Sequence, residues 1–213
     1  MLTKHIKNRG YLAWSLLLIM VFATGCSTKK NTFTRRLYHN LTSHYNVYWN
    51  GRESLREGIV ELEKKSKDNY NEVLPLFNYG EEGDAQSINP QMDRAIKKAS
   101  IAIQKHSMVF NGEEKVRWID DSYMLIGKAY FLKQEYISAR RTFNFVIREY
   151  GENDIKYDAM LWLSQTYVQL EEYEKVEPLL NLIVKDMEDG LVPYDIEKRL
   201  PQYFADQCIR QEK

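Results

Sequence analysis

An internal repeat constrains the fold more than any other feature of this 213-residue chain. Within residues 119–190, apolar, aromatic and small positions recur after a spacing of 37 residues. The spacing links Gly127 to Ser164, Tyr130 to Tyr167, Tyr136 to Tyr173, Ala139 to Val176, Phe143 to Leu180 and Val146 to Ile183. Each copy has room for two helices of roughly 14 residues separated by short polar turns. The repeat therefore predicts stacked helix pairs, and the predicted fold class is all-α.

The register of the repeat resembles the tetratricopeptide repeat (TPR), whose pattern combines a large residue, Leu-Gly, Tyr, a small residue and Phe. In the first copy these places hold Tyr123, Ile126-Gly127, Tyr130, Ala139 and Phe143. Small residues at Gly127 and Ala139 let two helices approach closely, while Tyr130 and Phe143 fill the space beside them. The resemblance implies a TPR α-solenoid, and a generic helical bundle is the alternative.

The repeat divides the C-terminal half of the chain into units. TPR unit 1 is predicted at 119–153 and TPR unit 2 at 154–190, with Ser164 and Val176 in the close-packed places of the second unit. Three extra residues in the turn around Gly151 explain why the spacing exceeds the 34 residues of a TPR. A truncated third unit is predicted at 194–213, so we expect this chain to be a portion of a longer array. Cys208 in this segment is predicted to be a buried thiol.

The segments before the repeats have helical and loop compositions. Residues 32–67 contain two amphipathic runs separated by Asn50-Gly51, which predicts a helical hairpin. Residues 68–91 are rich in turn-forming residues and are interpreted as a connector loop without the ligand spacing of a calcium site. Residues 92–118 are predicted to form a helix and a loop that lead into the repeats. The expected buried face of the first hairpin helix consists of Leu37, Leu41, Tyr45 and Tyr48.

The N-terminus has the three parts of a secretory signal peptide at residues 1–25. A basic start with Lys4, Lys7 and Arg9 precedes an apolar stretch at 11–22, and Ala23-Thr24-Gly25 then leads to Cys26. This ending resembles the lipobox of bacterial lipoproteins, which implies cleavage before Cys26 and attachment of acyl chains such as palmitate. Residues 26–31 would form a lipidated tether, and several acyl chains would make the anchor stable. The alternative is a signal anchor with an incidental cysteine.

The charge balance argues against a nucleic-acid partner. The chain has 30 basic and 30 acidic residues. Without the three basic residues of the signal, 27 basic residues face 30 acidic ones, a formal net charge of −3. No chain-wide positive field would attract nucleic acid. Lys29, Lys30, Arg35 and Arg36 follow the lipidation site and are expected either to contact an anionic membrane or to belong to a solvated tether.

The sequence contains no motif that is typical of an enzyme. A phosphate-binding loop, a nucleophile elbow, a zinc-protease helix and a Cys-x-x-Cys pair are all missing. His39 and His44 are five residues apart and point to different sides of a helix, so they do not predict a metal site. Asp120 and Asp121 open a predicted helix, where capping explains them better than catalysis. We predict no enzymatic activity, no cofactor, no metal and no small-molecule substrate.

A protein partner is expected on the repeats, because TPR arrays present the first helix of each pair along a concave surface. By register, the partner-binding positions are Asp121, Met124, Lys128 and Phe131 in unit 1, and Asp158, Leu161, Gln165 and Gln169 in unit 2. A ligand platform made of Tyr38, Tyr45, Tyr48 and Trp49 is the other possibility, although aromatic residues at helical spacing usually belong to the core.

Four stretches read CSTKKNT at 26–32, YHNLTSHYNVYWNGRE at 38–53, MDRAIKK at 92–98 and WIDDSYMLIGKAY at 118–130. Together they resemble the PorW/SprE family over nearly the whole mature chain. The resemblance implies a Bacteroidota outer-membrane lipoprotein that faces the periplasm and acts as a protein–protein interaction scaffold. Its partners would be the ring and translocon of type IX secretion, which in some species also supports gliding motility. Family members are several times longer than this chain.

Two other classes of lipoprotein remain open. SusD-like nutrient-binding lipoproteins also contain tetratricopeptide helices, but their surface-export signals place acidic residues directly after the lipidated cysteine. Here Ser27-Thr28-Lys29-Lys30 follows Cys26, which favours the periplasmic face. A BamD-like barrel-assembly accessory lipoprotein would share both the anchor and the repeats, and its co-purification with the assembly barrel would distinguish it.

Overall fold

The computed structural model describes residues 28–65, 74, 76–77, 79–80 and 82–211. Within these residues the fold is mostly helical, which confirms the predicted all-α class. The predicted signal peptide and the lipidation site Cys26 lie outside the described residues. None of the helices described is long and apolar enough to span a membrane.

The elements follow one another along the chain with short connections. Helix α1 spans Phe33–Thr42 and continues through a π-helical segment at Ser43–Tyr48 into α2 at Trp49–Lys65. We call this continuous stretch the N-terminal helix. The other elements are α3 (Glu82–Ser87), α4 (Asn89–His106), an antiparallel hairpin of β1 (Val109–Phe110) and β2 (Glu113–Glu114), α5 (Ile119–Leu132), α6 (Tyr136–Glu149), α7 (Ile155–Gln169), a 3₁₀ turn (Tyr173–Lys175), α8 (Val176–Glu188) and α9 (Tyr194–Gln211).

The long helices pack in chain order and form an array that resembles a helical repeat. Helix α2 contacts α4, α5 lies between α4 and α6, α7 lies between α6 and α8, and α9 contacts α8. A second set of contacts links α2 to α5, α5 to α7 and α7 to α9. Helices α2, α5, α7 and α9 therefore form a continuous row. One apolar core extends from α2 to α7, and another joins α7, α8 and α9.

The hairpin predicted at 32–67 is wrong, because Asn50 and Gly51 lie inside a continuous helix. Gly51 is buried where this helix meets α4 and α5. A Cβ atom there would lie 3.4 Å from the carbonyl oxygen of Ala95 and 2.8 Å from Cδ2 of Leu125. The glycine thus allows close helix packing and does not reverse the chain. The packing partner of this helix is α4, which follows the connector.

The buried face of the N-terminal helix also differs from the prediction. Leu37, Leu41 and Tyr45 are exposed, and Tyr48 is only half-buried. The buried positions are mostly small or polar, and they are His39, Ser43, Val47, Gly51, Ser54, Leu55, Gly58 and Leu62. The small side chains on the buried face let α4 pack closely against this helix. The larger apolar residues lie on a different, exposed face of the same helix. Tyr38 and Trp49 are exposed on this helix as well, contrary to their expected place in the core.

The connector predicted at 68–91 is partly helical. Helix α3 and the first turn of α4 lie within it, and Pro90 occupies the start of α4, where the missing N–H of proline breaks no helical hydrogen bond. The predicted segment 92–118 contains the rest of α4 and, in its loop, the short β1–β2 hairpin. Residues 66–73 lie outside the described part of the chain, whereas Phe77 and Tyr79 lie against the repeat helices.

The helices predicted between 119 and 190 are confirmed as α5, α6, α7 and α8. The predicted close packing also holds at Gly127, because a Cβ there would lie 2.5 Å from Cε1 of Phe143. Ala139 is fully buried on the facing helix. In the second unit, Ser164 is buried and its hydroxyl donates to the carbonyl of Leu161 over 2.8 Å. Cys208 is exposed on α9, so its predicted burial is wrong.

Candidate protein-interaction groove

A cavity of about 210 Å³ lies between the N-terminal helix, α5 and α7, and we call it the groove. Its lining consists of Tyr48, Arg52, Leu55, Asp121, Met124, Leu125, Lys128, Ile155 and Asp158. Half of the predicted partner-binding residues are therefore brought together, namely Asp121, Met124, Lys128 and Asp158. Their spacing explains this arrangement, since residues three or four apart share one face of a helix.

The charged side chains Lys128, Asp158 and Arg199 connect three helices of the row. Lys128 Nζ donates to Asp158 Oδ2 over 2.7 Å, and Arg199 Nη1 donates to Asp158 Oδ1 over 3.0 Å. Burial by itself would raise the pKa of Asp158, but the charges and hydrogen bonds of the two cations outweigh it and lower that pKa. Asp158 is thus ionised at neutral pH, and it holds both cations at the groove.

Asp121 is the carboxylate of the groove that lacks a full counter-charge. Its side chain makes no hydrogen bond or ion pair within the described part of the chain. Burial and the neighbouring Asp120 raise its pKa to about 6, although Lys128, Arg117 and Arg52 act in the opposite direction. The group is mostly ionised at pH 7 and remains partly uncompensated. A lysine or arginine side chain of a partner would complete the charge balance.

Phe131, Leu161, Gln165 and Gln169 do not line the open groove. Phe131, Leu161 and Gln165 are fully buried, and Gln169 accepts a hydrogen bond from the Tyr136 hydroxyl over 3.3 Å. The accessibility predicted for Phe131, Leu161 and Gln165 is wrong, whereas Gln169 is half-buried. The repeat register places these positions on α5 and α7, but it carries no information about what covers those helices.

The connector covers part of the helix surface that carries Phe131 and Gln165. The ring of Tyr79 packs edge-on against Phe131 with centroids 4.6 Å apart, and its hydroxyl donates to Gln165 Oε1 over 3.5 Å. The ring of Phe77 packs against Tyr203 of α9 at 4.8 Å. The chain's own aromatic residues thus occupy a surface that the register assigns to a partner.

Polar atoms without partners remain beneath the connector. Gln165 Nε2, Trp162 Nε1 and Asp206 Oδ1 are buried and make no hydrogen bond to any residue that the structure describes. A buried polar group left unpaired costs about 1–3 kcal/mol.

Sequence reasoning did not assign Tyr48 and Arg52 to the groove, nor Arg199 to the charged cluster beside it. Tyr48 and Arg52 lie on a helix that was predicted to pair within its own hairpin, so its place in the row was not evident. Arg199 lies on the first helix of the predicted third unit, and that prediction was the available signal for its position.

A larger cavity of about 630 Å³ lies between the β1–β2 hairpin, α5, and the end of α6 with the turn that follows it. Five of its fifteen lining residues are acidic, namely Glu113, Glu114, Asp120, Glu149 and Glu152, and one, Arg117, is basic. Glu114 has a structural role, because its Oε1 accepts the backbone N–H groups of Met108 and Val116 over 2.8 and 2.9 Å. Within the described ranges, no three His, Cys, Asp or Glu side chains are grouped to hold a metal ion.

No model of a known protein family matches this chain, and no curated protein matches it either. The geometry of the groove and the sequence patterns therefore carry the functional reasoning.

Proposed function

We propose that this protein is a lipid-anchored scaffold of the bacterial envelope whose groove binds a segment of another protein. One observation carries this proposal: the uncompensated carboxylate of Asp121 lies in a cavity beside the Lys128–Asp158–Arg199 cluster. Fixed charges of both signs in a half-buried cavity select a partner by electrostatic complementarity. The partner segment is expected to carry a lysine or arginine side chain that reaches Asp121.

The helix array supports a TPR-type α-solenoid as the scaffold. Helices α5 and α6 form one unit, α7 and α8 form the next, and α9 begins a third. The close contact of Gly127 with Phe143 agrees with the TPR pattern. In addition, α2 and α4 form a helix pair in front of the first predicted unit. Stacked pairs of this kind provide an extended surface for binding other proteins.

The cellular setting of the proposal comes from the lipobox-like signal and the family resemblance. We place the protein at the outer membrane, lipid-anchored through Cys26 and facing the periplasm. Its partners would be ring and translocon components of type IX secretion or of the gliding machinery. The basic residues directly after Cys26 favour this face over surface export.

Charge reversal at Asp121 tests the binding function. Asp121→Lys and the control Glu188→Lys, which alters an exposed carboxylate on α8, are expressed in cells, extracted from membranes and captured. We expect Asp121→Lys to reduce recovery of the partner about tenfold or more, equivalent to ~1.4 kcal/mol, while the control retains it. Circular dichroism checks that both variants remain helical.

Equal recovery of every protein by wild type and Asp121→Lys would contradict binding in the groove. Recovery of only glycan-uptake components would favour a SusD-like lipoprotein, and recovery of the barrel-assembly machine would favour a BamD-like one. Either result would overturn the secretion role and leave the groove as a binding site.

Mass spectrometry of the mature N-terminal peptide tests the anchor separately. We expect a peptide that begins at Cys26 and carries a diacylglyceryl group. An unmodified Cys26, or a mature chain that still contains residues 1–25, would contradict lipidation.

A further inference from the structure

The N-terminal helix carries a row of exposed aromatic and apolar side chains. Phe33, Leu37, Leu41, Tyr45 and Trp49 follow at intervals of four residues and are 48–72% exposed, and Tyr38 is 43% exposed on the same helix. We call these six residues the apolar stripe. The packed positions of this helix are different residues, which contact α4. Apolar side chains that remain exposed in a contiguous row mark an interaction surface.

The charged residues that precede or interrupt the apolar stripe along the sequence are all basic, and the first acidic residue follows Trp49 by four positions. No Asp or Glu occurs before Glu53, so all 30 acidic residues lie from there onward. Five basic residues, Lys29, Lys30, Arg35, Arg36 and Arg52, flank or interrupt the stripe. This part of the chain is strongly cationic although the whole sequence is neutral.

Two more basic residues lie beside α1 in space, and Lys115 is paired there with Glu113, so Arg117 is the one that adds positive charge. Asn40 accepts the backbone N–H of Arg117 over 2.8 Å and donates to the carbonyl of Lys115 over 3.2 Å. These bonds hold the segment that leads into α5 against α1, and Arg117 is exposed there. The cationic character of this region therefore comes from two separate parts of the chain.

Aromatic and aliphatic side chains on a helix rich in Lys and Arg are the combination that binds a lipid interface. Trp and Tyr favour the head-group level of a bilayer, and basic side chains are attracted to anionic lipids. A water-exposed protein surface would not need all three features in the same helix. The observations favour lipid over a protein as the occupant of the stripe.

We propose that the apolar stripe lies on the surface of an anionic membrane, with the surrounding Lys and Arg side chains on the lipid head groups. The inference rests on the proposed function in one respect, since a lipidated Cys26 would hold the chain at that membrane. Phe33 follows Cys26 by seven residues, which reach at most about 25 Å when fully extended. The stripe is thus within reach of the surface to which the anchor is attached.

Membrane contact of the stripe would also position the groove. Tyr48 and Arg52 line the groove and belong to the same helix as Tyr45 and Trp49 of the stripe. A helix held on the lipid surface would therefore keep the groove at a fixed distance from the bilayer. The π-helical segment at Ser43–Tyr48 connects the two regions, and such segments are frequent at functional sites.

Quenching of Trp49 fluorescence tests the inference directly. The full chain is purified from membranes and reconstituted into phosphatidylethanolamine–phosphatidylglycerol vesicles, with or without bromine on the acyl chains. The emission of Trp49 is obtained as the difference between wild type and Trp49→Phe. We expect brominated lipid to reduce this emission roughly twofold or more. The emission assigned to Trp162 through Trp162→Phe serves as the control and is expected to stay unchanged, because Trp162 packs among core aromatic rings.

A matched pair of double variants tests the role of the stripe. Leu37→Glu with Leu41→Glu places two negative charges on it, and Leu182→Glu with Leu191→Glu places two on other exposed leucines. The first pair is expected to abolish quenching of Trp49, and the second to leave it unchanged. Phosphatidylcholine vesicles, which carry no net charge, are expected to give weaker quenching than the anionic ones.

The outcomes separate the inference from the proposed function. If the vesicles retain the protein but Trp49 is not quenched, the inference is overturned while the anchor stands. If Cys26 is unmodified and Trp49 is still quenched by anionic vesicles, the anchor fails and the inference stands. Quenching that persists in the Leu37→Glu, Leu41→Glu variant would also overturn the inference.

Discussion

Gly127 determines how closely the two helices of the first repeat can approach. The space in which a side chain would begin is filled by the ring of Phe143, whose Cε1 would lie 2.5 Å from an added Cβ. Real Cβ atoms do not approach carbon atoms so closely, so the ring or one of the helices would have to move. Sequence reasoning found this contact because the pattern of small and aromatic residues reports directly on close packing.

Gly127→Ala is therefore expected to lower the free energy of unfolding by about 1–3 kcal/mol, the usual cost of overpacking a core. The control is Gly83→Ala in α3, where an added Cβ meets no atom of the described residues within 4 Å. Because alanine favours helix over glycine, Gly83→Ala is expected to have the same stability as wild type or slightly more. Urea unfolding followed by circular dichroism measures both, and an equal effect of the two substitutions would contradict the predicted contact.

Asp121 gives a prediction with a defined pH dependence. The folded state raises the pKa of Asp121 from 3.8 to about 6, mainly through burial and then through Asp120. As the pH rises through this range, ionisation of Asp121 therefore lowers the free energy of unfolding, and this loss is still present at pH 7. Asp121→Asn is expected to raise the free energy of unfolding at pH 7 by roughly 1–3 kcal/mol. The difference from wild type is expected to shrink towards zero below about pH 4.

Urea unfolding at both pH values measures this difference, and Glu63→Gln on the exposed face of α2 is the control. A variant Asp121→Asn that is less stable than wild type at pH 7 would show that the carboxylate is already compensated. The combination of improved stability and lost partner binding is the result expected for a residue retained for binding.

At the scale of elements, the N-terminal helix shows what a sequence pattern can and cannot predict. Its helical character was evident from periodicity, but its buried face was not. The large apolar residues of the stripe point away from the core, and small residues such as Gly51 and Gly58 pack against α4. An amphipathic pattern identifies a face that avoids water, yet it does not tell whether a protein core or a lipid surface covers that face.

A buried histidine pair joins this helix to α4. The Nδ1 atoms of His39 and His106 lie 3.0 Å apart, so one ring must donate and the other accept. Burial lowers the pKa of both, and Arg35 acts in the same direction on His39, as do His39 and Lys105 on His106. The neutral pair therefore stabilises the folded state above the unfolded pKa of 6.5, and this contribution is lost as the pH falls through the lower folded values.

We expect wild type to be more stable than His39→Asn at pH 7.5, by about 1 kcal/mol for the lost hydrogen bond. The difference in the free energy of unfolding is expected to narrow towards pH 5. Protonation of the imidazoles then weakens the His39–His106 hydrogen bond, which wild type has and the variant lacks. Unfolding of both proteins at several pH values measures it, and NMR titration of the imidazoles checks the direction of the pKa shifts. A difference that stays constant or widens at low pH would contradict this account.

At the scale of the whole molecule, the fold was more predictable than the groove. The repeat of 37 residues led to the all-α class and to the helices α5 to α8, since periodic packing leaves a periodic sequence. It also brought Asp121, Met124, Lys128 and Asp158 to one cavity. The connector follows no repeat, and its position over Phe131 and Gln165 depends on tertiary contacts of Tyr79 that have no local signature.

The central claim is that the groove holds another protein, and crosslinking in living cells tests it most directly. A photoreactive phenylalanine derivative replaces Arg52, which lines the groove, or Leu182, which is exposed on α8. The account predicts that illumination joins position 52 to one defined envelope protein and that position 182 does not form this product. If position 52 yields no protein crosslink, or the same products as position 182, the groove is not a binding site and the account is contradicted.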